Sequence, residues 1–238
     1  MPKIHVKRFT QDAKNQCALG AVTCVSNCAD SSWGFSRVAG VVRSWNKDSL
    51  KNGLYSFGIC SLLNLVGFDK VVYVTSDTDI IDYSWAGLSH KKLARKMLSR
   101  KSRYHAALYN SMKSYFSDTG YDNSIVIDWN FADRIRESID NGVPVIVSFN
   151  WTMYFRQMKD FKDKPNDMKG EPTFHAVVVN GYDKMHAYIV DSHTEQYKYK
   201  LKEFKTGIYK IKWEHLMAVM GREGDVIIPT NYNSRVES

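Results

Sequence analysis

No stretch of this sequence approaches the roughly 18 uninterrupted apolar residues that a membrane-spanning helix needs, so no membrane partner is expected. The opening Met1-Pro2-Lys3-Ile4-His5-Val6-Lys7-Arg8 lacks the apolar core of a secretory signal, and a reducing cytoplasm is the expected compartment. Cysteine is scarce: Cys17, Cys24, Cys28 and Cys60 are the only four, three of them crowded together and none in a C-x-x-C pair. That spacing argues against a disulfide framework. It also argues against a zinc site, because His175, His186, His193 and His215 are scattered and form no H-x-x-x-H pair. There is no Gly-rich phosphate loop and no G-x-S-x-G elbow, so no metal and no cofactor is expected. Repeats, low-complexity tracts and Gly/Ser linkers are missing too. One domain spanning residues 1–238 is the simplest reading of that length.

What is present is an ordinary globular composition, with 44% apolar and 24% charged residues and enough aromatics to exclude global disorder. The fold class expected is α+β, from a change of period along the chain. Residues 16–29 are small and apolar without a Pro or Gly cluster, which predicts a helix buried on much of its surface, with Asn15 as N-cap. Gly20 inside that helix costs up to about 1 kcal/mol relative to Ala, which predicts close approach of another element there. Further helices are expected over 48–66, over 88–121 as a pair (Ser89 capping the first, Gly120 closing the second), and over 131–140 ahead of Asn141-Gly142. After that the pattern turns β-branched. Strands are predicted at 143–149, 174–180, 187–191, 197–201 and 208–211, with a turn at 181–184. The helical part then covers about 11–140 and the β part about 141–228.

Two pairs of residues carry chemistry. Cys17 stands at the start of the first predicted helix, where backbone N–H groups and the helix dipole favour a thiolate, the reactive form of cysteine. Gln11, six residues earlier, can turn its amide toward the same point and stabilise an oxyanion. His175 and Asp191 lie on the two arms of a predicted hairpin. If Asn180 faces Met185, His175 faces Val190, and a one-residue shift or bulge brings His175 beside Asp191. A carboxylate there holds the imidazole in one tautomer and favours its protonated form. Taken singly, these residues also fit a small buried thiol, a surface glutamine, a strand histidine and a strand-end aspartate.

Together they run in the order Gln, Cys, His, Asp, and here the chain resembles a known family. The segment from Gln11 to Cys17 resembles the Q-x5-C helix entry of papain-like cysteine peptidases. Gly142-Val143-Pro144-Val145-Ile146, followed by His175-Ala176-Val177-Val178-Val179-Asn180-Gly181-Tyr182 and then Tyr188-Ile189-Val190-Asp191, resembles the C39-like branch of that superfamily. Ala18 stands where relatives often carry Gly, and Ser192 where they often carry Pro. The resemblance implies a papain-like fold, a nucleophile-bearing helix packed on a C-terminal antiparallel sheet. It also implies a cysteine hydrolase acting on a peptide, isopeptide or related amide of a peptide or protein substrate. Cys17 would be nucleophile, His175 general base and acid, Asp191 its orienting group and Gln11 the oxyanion donor. Acyl transfer would use the same residues.

A second signal is electrostatic. Net charge is +8, and Lys91, Lys92, Arg95, Lys96, Arg100, Lys101 and Arg103 follow one another with no acid between them. Such a run binds nucleic acid or an acidic partner, or else is the wet side of a helix whose apolar stripe is Leu93, Met97, Tyr104 and Leu108. The long span at 150–173, with Trp151, Tyr154 and Phe155, reads as a wall or lid of a substrate cleft or as a surface excursion.

Overall fold

The computed structural model describes residues 2–13, 15–155, 158, 164, 166–193, 206–221 and 223–233. Four helices come first: α1 (Cys17–Ala29), α2 (Phe35–Asn46), α3 (Ser49–Asn52) and α4 (Ser56–Leu65). Strand β1 (Phe68–Thr75) follows, then α5 (His90–Ser99), α6 (Ala106–Ser117), β2 (Ser124–Ile127) and α7 (Phe131–Asp140). The second half holds β3 (Val145–Asn150), α8 (Trp151–Phe155), β4 (Phe174–Tyr182), β5 (His186–Val190), β6 (Ile208–Lys212), α9 (Trp213–Met220) and β7 (Asp225–Tyr232). The strands form one mixed sheet in the order β2-β1-β7-β3-β4-β5-β6, parallel only between β1 and β2. The class is α+β.

The sheet separates two apolar cores, and strand alternation assigns side chains to each. Ile146, Ala176, Val178 and Ile227 face the core built with α1, α2, α4 and α6. Val145, Val147, Val177 and Val179 face the core built with α7 and α9. Helix α1 is buried along nearly its whole length from Ala18 to Ser26, as expected of a helix without a polar face. Helix α7 is amphipathic, with Phe131, Ile135 and Ile139 inward. Each fully buried side chain such as Leu62, Leu63 or Ile135 contributes about 1.5–3 kcal/mol.

Helices α1, α4, α5, α6 and α7 and strands β3 to β6 lie where the sequence places them. Strands β1 and β2 lie inside the expected helical part, and β7 closes the chain in the middle of the sheet. The signal in β1 was Val71-Val72-Tyr73-Val74-Thr75, β-branched and aromatic. Helices α2, α8 and α9 were not predicted, although Phe35, Val38, Val41, Val42 and Trp45 recur at helical spacing in α2. The strand expected at 197–201 lies outside the described residues. Gly120 is not the cap of α6, which ends at Ser117 with Asp118 in an extended conformation. Ser89 does precede α5 but makes no side-chain cap hydrogen bond. Among the described residues no helix is long and apolar enough to cross a membrane.

Candidate active site

The entry to α1 is tied down from outside the helix. Asn15 is not the N-cap: it adopts a left-handed φ of 62° and donates from Nδ2 to the Lys51 carbonyl at 3.1 Å. Gln16 takes the cap position; its Oε1 accepts from the Ala13 N–H and its Nε2 donates to the Leu50 carbonyl. Cys17 is therefore the first helical residue, with no acid in that turn to oppose a thiolate. All four cysteines are unpaired, and Cys17 keeps partial exposure.

His175 comes from the start of β4, on the face that carries Val177 and Val179, and its ring stands edge-on to Phe149. Asp191 comes from the residue after β5. A bulge brings the two together. At the hairpin end the register is Tyr182↔Ala187 and Gly181↔Tyr188; beyond Asn180 it becomes Val179↔Ile189 and Val178↔Val190. Extending the second register sets Asp191 across from Val177, a diagonal neighbour of His175 on the same face. Extending the first would set it across from Val178, on the opposite face. A one-residue bulge is present, but its extra residue is on β4, the turn spans 183–186, two residues later than expected, and His175 and Asp191 are diagonal neighbours and not side by side. The bulge is held by the N-terminal segment: the Ile4 N–H donates to the Asn180 carbonyl at 2.7 Å, and Asn180 Nδ2 donates to the Ile4 carbonyl at 2.8 Å.

The carboxylate of Asp191 is fully buried, and both of its oxygens accept hydrogen bonds. Its Oδ1 meets His175 Nε2 at 2.9 Å and the His193 N–H at 2.8 Å, and its Oδ2 accepts from the Tyr209 hydroxyl at 3.0 Å. With Nε2 committed to Asp191, Nδ1 is the imidazole nitrogen left for Cys17. Burial pushes the Cys17 thiol up, but the hydrogen bond and charge of His175 and the Ala176 backbone N–H outweigh it, and the thiol ends below its ordinary value. Burial pushes His175 down, and Asp191 and Cys17 more than reverse this. The other three thiols all move the opposite way, raised chiefly by burial. The structure thus brings Cys17, His175 and the buried Asp191 carboxylate together, an arrangement in which a thiolate and an imidazolium would stabilise each other.

Gln11 is near this group by its backbone. Its N–H donates to the Ser192 carbonyl and its Oε1 accepts from Ser192 Oγ, while its Nε2 donates to the Ala13 carbonyl. The amide donor is thus bonded within its own loop. Three residues were not read from the sequence. Tyr209 anchors Asp191 Oδ2 from β6. Arg8 donates from Nε to the Asp191 carbonyl at 2.6 Å. Gly207, at φ 67°, leaves the space Arg8 fills, since a Cβ there would collide with the guanidinium and with the Asp191 carbonyl. Of these only Gly207 carries a sequence signal, a glycine just ahead of a strand. Among the described residues no three His, Cys, Asp or Glu side chains group so as to hold a metal ion.

The Peptidase_C39 like family model matches residues 3–220. The chain belongs to that family. A solved structure, described as a candidate C39-like peptidase from Bacillus anthracis, is similar over 98% of this chain and 100% of its own, with 14% identity and a TM-score of 0.43. No curated protein matches.

In this C39-like chain Gly20 meets its expected neighbour. A Cβ at Gly20 would run into Ser192 Cβ and Oγ, so α1 and the Asp191 loop approach as closely as they do because position 20 has no side chain. Gly20→Ala is expected to cost about 1–3 kcal/mol in denaturant unfolding through overpacking, despite the better helix propensity of alanine. A gain in stability would show that the loop yields freely.

Proposed function

We propose that this member of a peptidase-type family is a cysteine hydrolase of one domain that cleaves a peptide, isopeptide or related amide bond. The Cys17 thiolate attacks the carbonyl carbon; a C–S bond forms and the carbonyl electron pair becomes an oxyanion. N–H groups at the start of α1 and the Gln11 amide, swung away from Ala13, stabilise that oxyanion. As it collapses, the C–N bond breaks and His175 hands its proton to the leaving amine. Water then attacks the thioester, with His175 taking its proton, and the acid leaves as the thiolate is restored. An amine in place of water gives acyl transfer by the same residues. Asp191 keeps the imidazole oriented throughout and stabilises its protonated form.

The observation that carries this reading is the buried imidazole of His175, bonded to Asp191 and close enough to Cys17 to hold its thiol below the ordinary value. Unpaired thiols fit a reducing compartment such as the cytoplasm. The test is digestion of a complex peptide mixture read by mass spectrometry. Cys17→Ala is expected to abolish every wild-type cleavage while leaving the melting temperature within a few degrees of wild type. Cleavage that survives the substitution would sink the assignment.

A further inference from the structure

Residues 83–117 contain no Asp or Glu. The structure gathers the cations of this stretch on one surface. On α5 the buried positions are Leu93 and Met97, and Lys91, Lys92, Arg95 and Lys96 occupy the opposite, exposed arc. The turn after the helix adds Lys101 and Arg103, both exposed. The nearest acid ahead of the stretch, Asp82, faces Arg100, which stacks together with Lys96 on the buried Trp85. Among the described residues Lys91, Lys92, Arg95, Lys101 and Arg103 have no acidic partner. Among the described residues no acid relieves the mutual repulsion of these five cations.

What that surface lacks decides the partner. None of the exposed large apolar side chains lies between residues 86 and 117. A membrane-bound helix inserts an apolar face beside its cations, and this one has none to insert. A protein interface is anchored by apolar or aromatic side chains at its core, and these are missing too. Single-stranded nucleic acid is gripped by stacking on exposed aromatics; the nearest exposed rings, Tyr83 and Trp129, adjoin Asp82 and Asp128, which repel phosphate. Cations without apolar anchors suit the phosphate backbone of a duplex, which is bound through charge alone and without regard to sequence. We infer that the exposed face of α5 and the turn after it dock double-stranded nucleic acid. This surface is separate from the Cys17 site and independent of the hydrolase reading.

The test is fluorescence anisotropy of the full chain with a labelled, mixed-sequence DNA duplex. Neutralising about four to six phosphates predicts affinity falling about 10²- to 10³-fold between about 50 and 200 mM salt. Lys91→Gln/Lys92→Gln/Arg95→Gln alters exposed side chains only; it is expected to weaken binding at least about tenfold at low salt and to flatten the logarithmic salt slope by about 2 to 3. The charge-matched control Lys47→Gln/Lys184→Gln/Lys212→Gln is expected to change binding far less, and Cys17→Ala not at all. The inference is overturned if the duplex does not bind at low salt or if the control weakens binding as much as the α5 variant. It is equally overturned if polyglutamate or anionic vesicles compete better than unlabelled duplex at equal charge.

Discussion

Iodoacetamide at about pH 6.5 is expected to label Cys17 at least about a hundredfold faster than Cys24, Cys28 or Cys60 in the same molecule. Only the thiolate reacts, and an ordinary thiol is almost wholly protonated at that pH. Cys17 lies below its ordinary value because the imidazolium of His175 stabilises the anion, whereas burial raises the other three. The sign follows from both partners. The thiolate forms as pH rises through the lowered thiol value. The imidazolium persists until pH rises through the raised value of His175. Enhanced reactivity therefore begins below the usual thiol range and extends, as an ion pair, to the alkaline side of neutrality. His175→Ala removes the hydrogen bond and the charge but leaves the burial, so Cys17 should then react no faster than Cys28. The measurement is peptide-resolved mass spectrometry across pH. Equal labelling of Cys17 and Cys28 in the wild type would mean that no ion pair forms.

The residues of the candidate site that the structure brings together were legible because each carries a local mark. Cys17 sits where polar residues give way to a buried helix, and His175 and Asp191 bracket a β-branched hairpin. What was not legible depends on contacts between distant parts of the chain. Gly181 read as a turn residue because glycine is common in turns. It is glycine because the N-terminal segment crosses it: a Cβ there would lie 2.9 Å from the Pro2 carbonyl oxygen. The turn itself is organised by Asp183, whose Oδ1 accepts from the Met185 and His186 N–H groups. Asn15 read as a cap from its type, but its conformation is set by Lys51 and by its contact with Gly53. Tyr209 and Arg8 have no pattern of their own, since their partner is reached only once β6 and the N-terminal segment are in place. The same holds for the Asp225 carboxyl, held by Ser56 and Tyr73 and pushed up to about 7 by burial.

Dependence on long-range contacts makes the register between β4 and β5 the most sensitive point of the site. Deleting Val190 should move the residues after it one place along the hairpin arm, which puts Ser192 across from Val177 and turns Asp191 to the far face. His175 would then lose its carboxylate although no catalytic side chain had been altered. Loss of the aspartate from a comparable triad costs about 10⁴-fold in turnover, and a loss of that order is expected here. The alkylation advantage of Cys17 should disappear with it, because the charge of Asp191 is what most raises His175 against its burial. Asn180→Ala separates residue count from side-chain chemistry. It keeps the extra residue and the Ile4 N–H bond to the backbone carbonyl, and loses only the Nδ2 bond, for about 1 kcal/mol. Its Cys17 should react as in the wild type. The two variants are compared by alkylation rate at about pH 6.5, with thermal melting to show that each still unfolds cooperatively. Full reactivity in the deletion variant would mean that the Asp191 loop finds His175 whatever the register. A loss in Asn180→Ala as large as in the deletion would shift the credit from register to the N-terminal clamp.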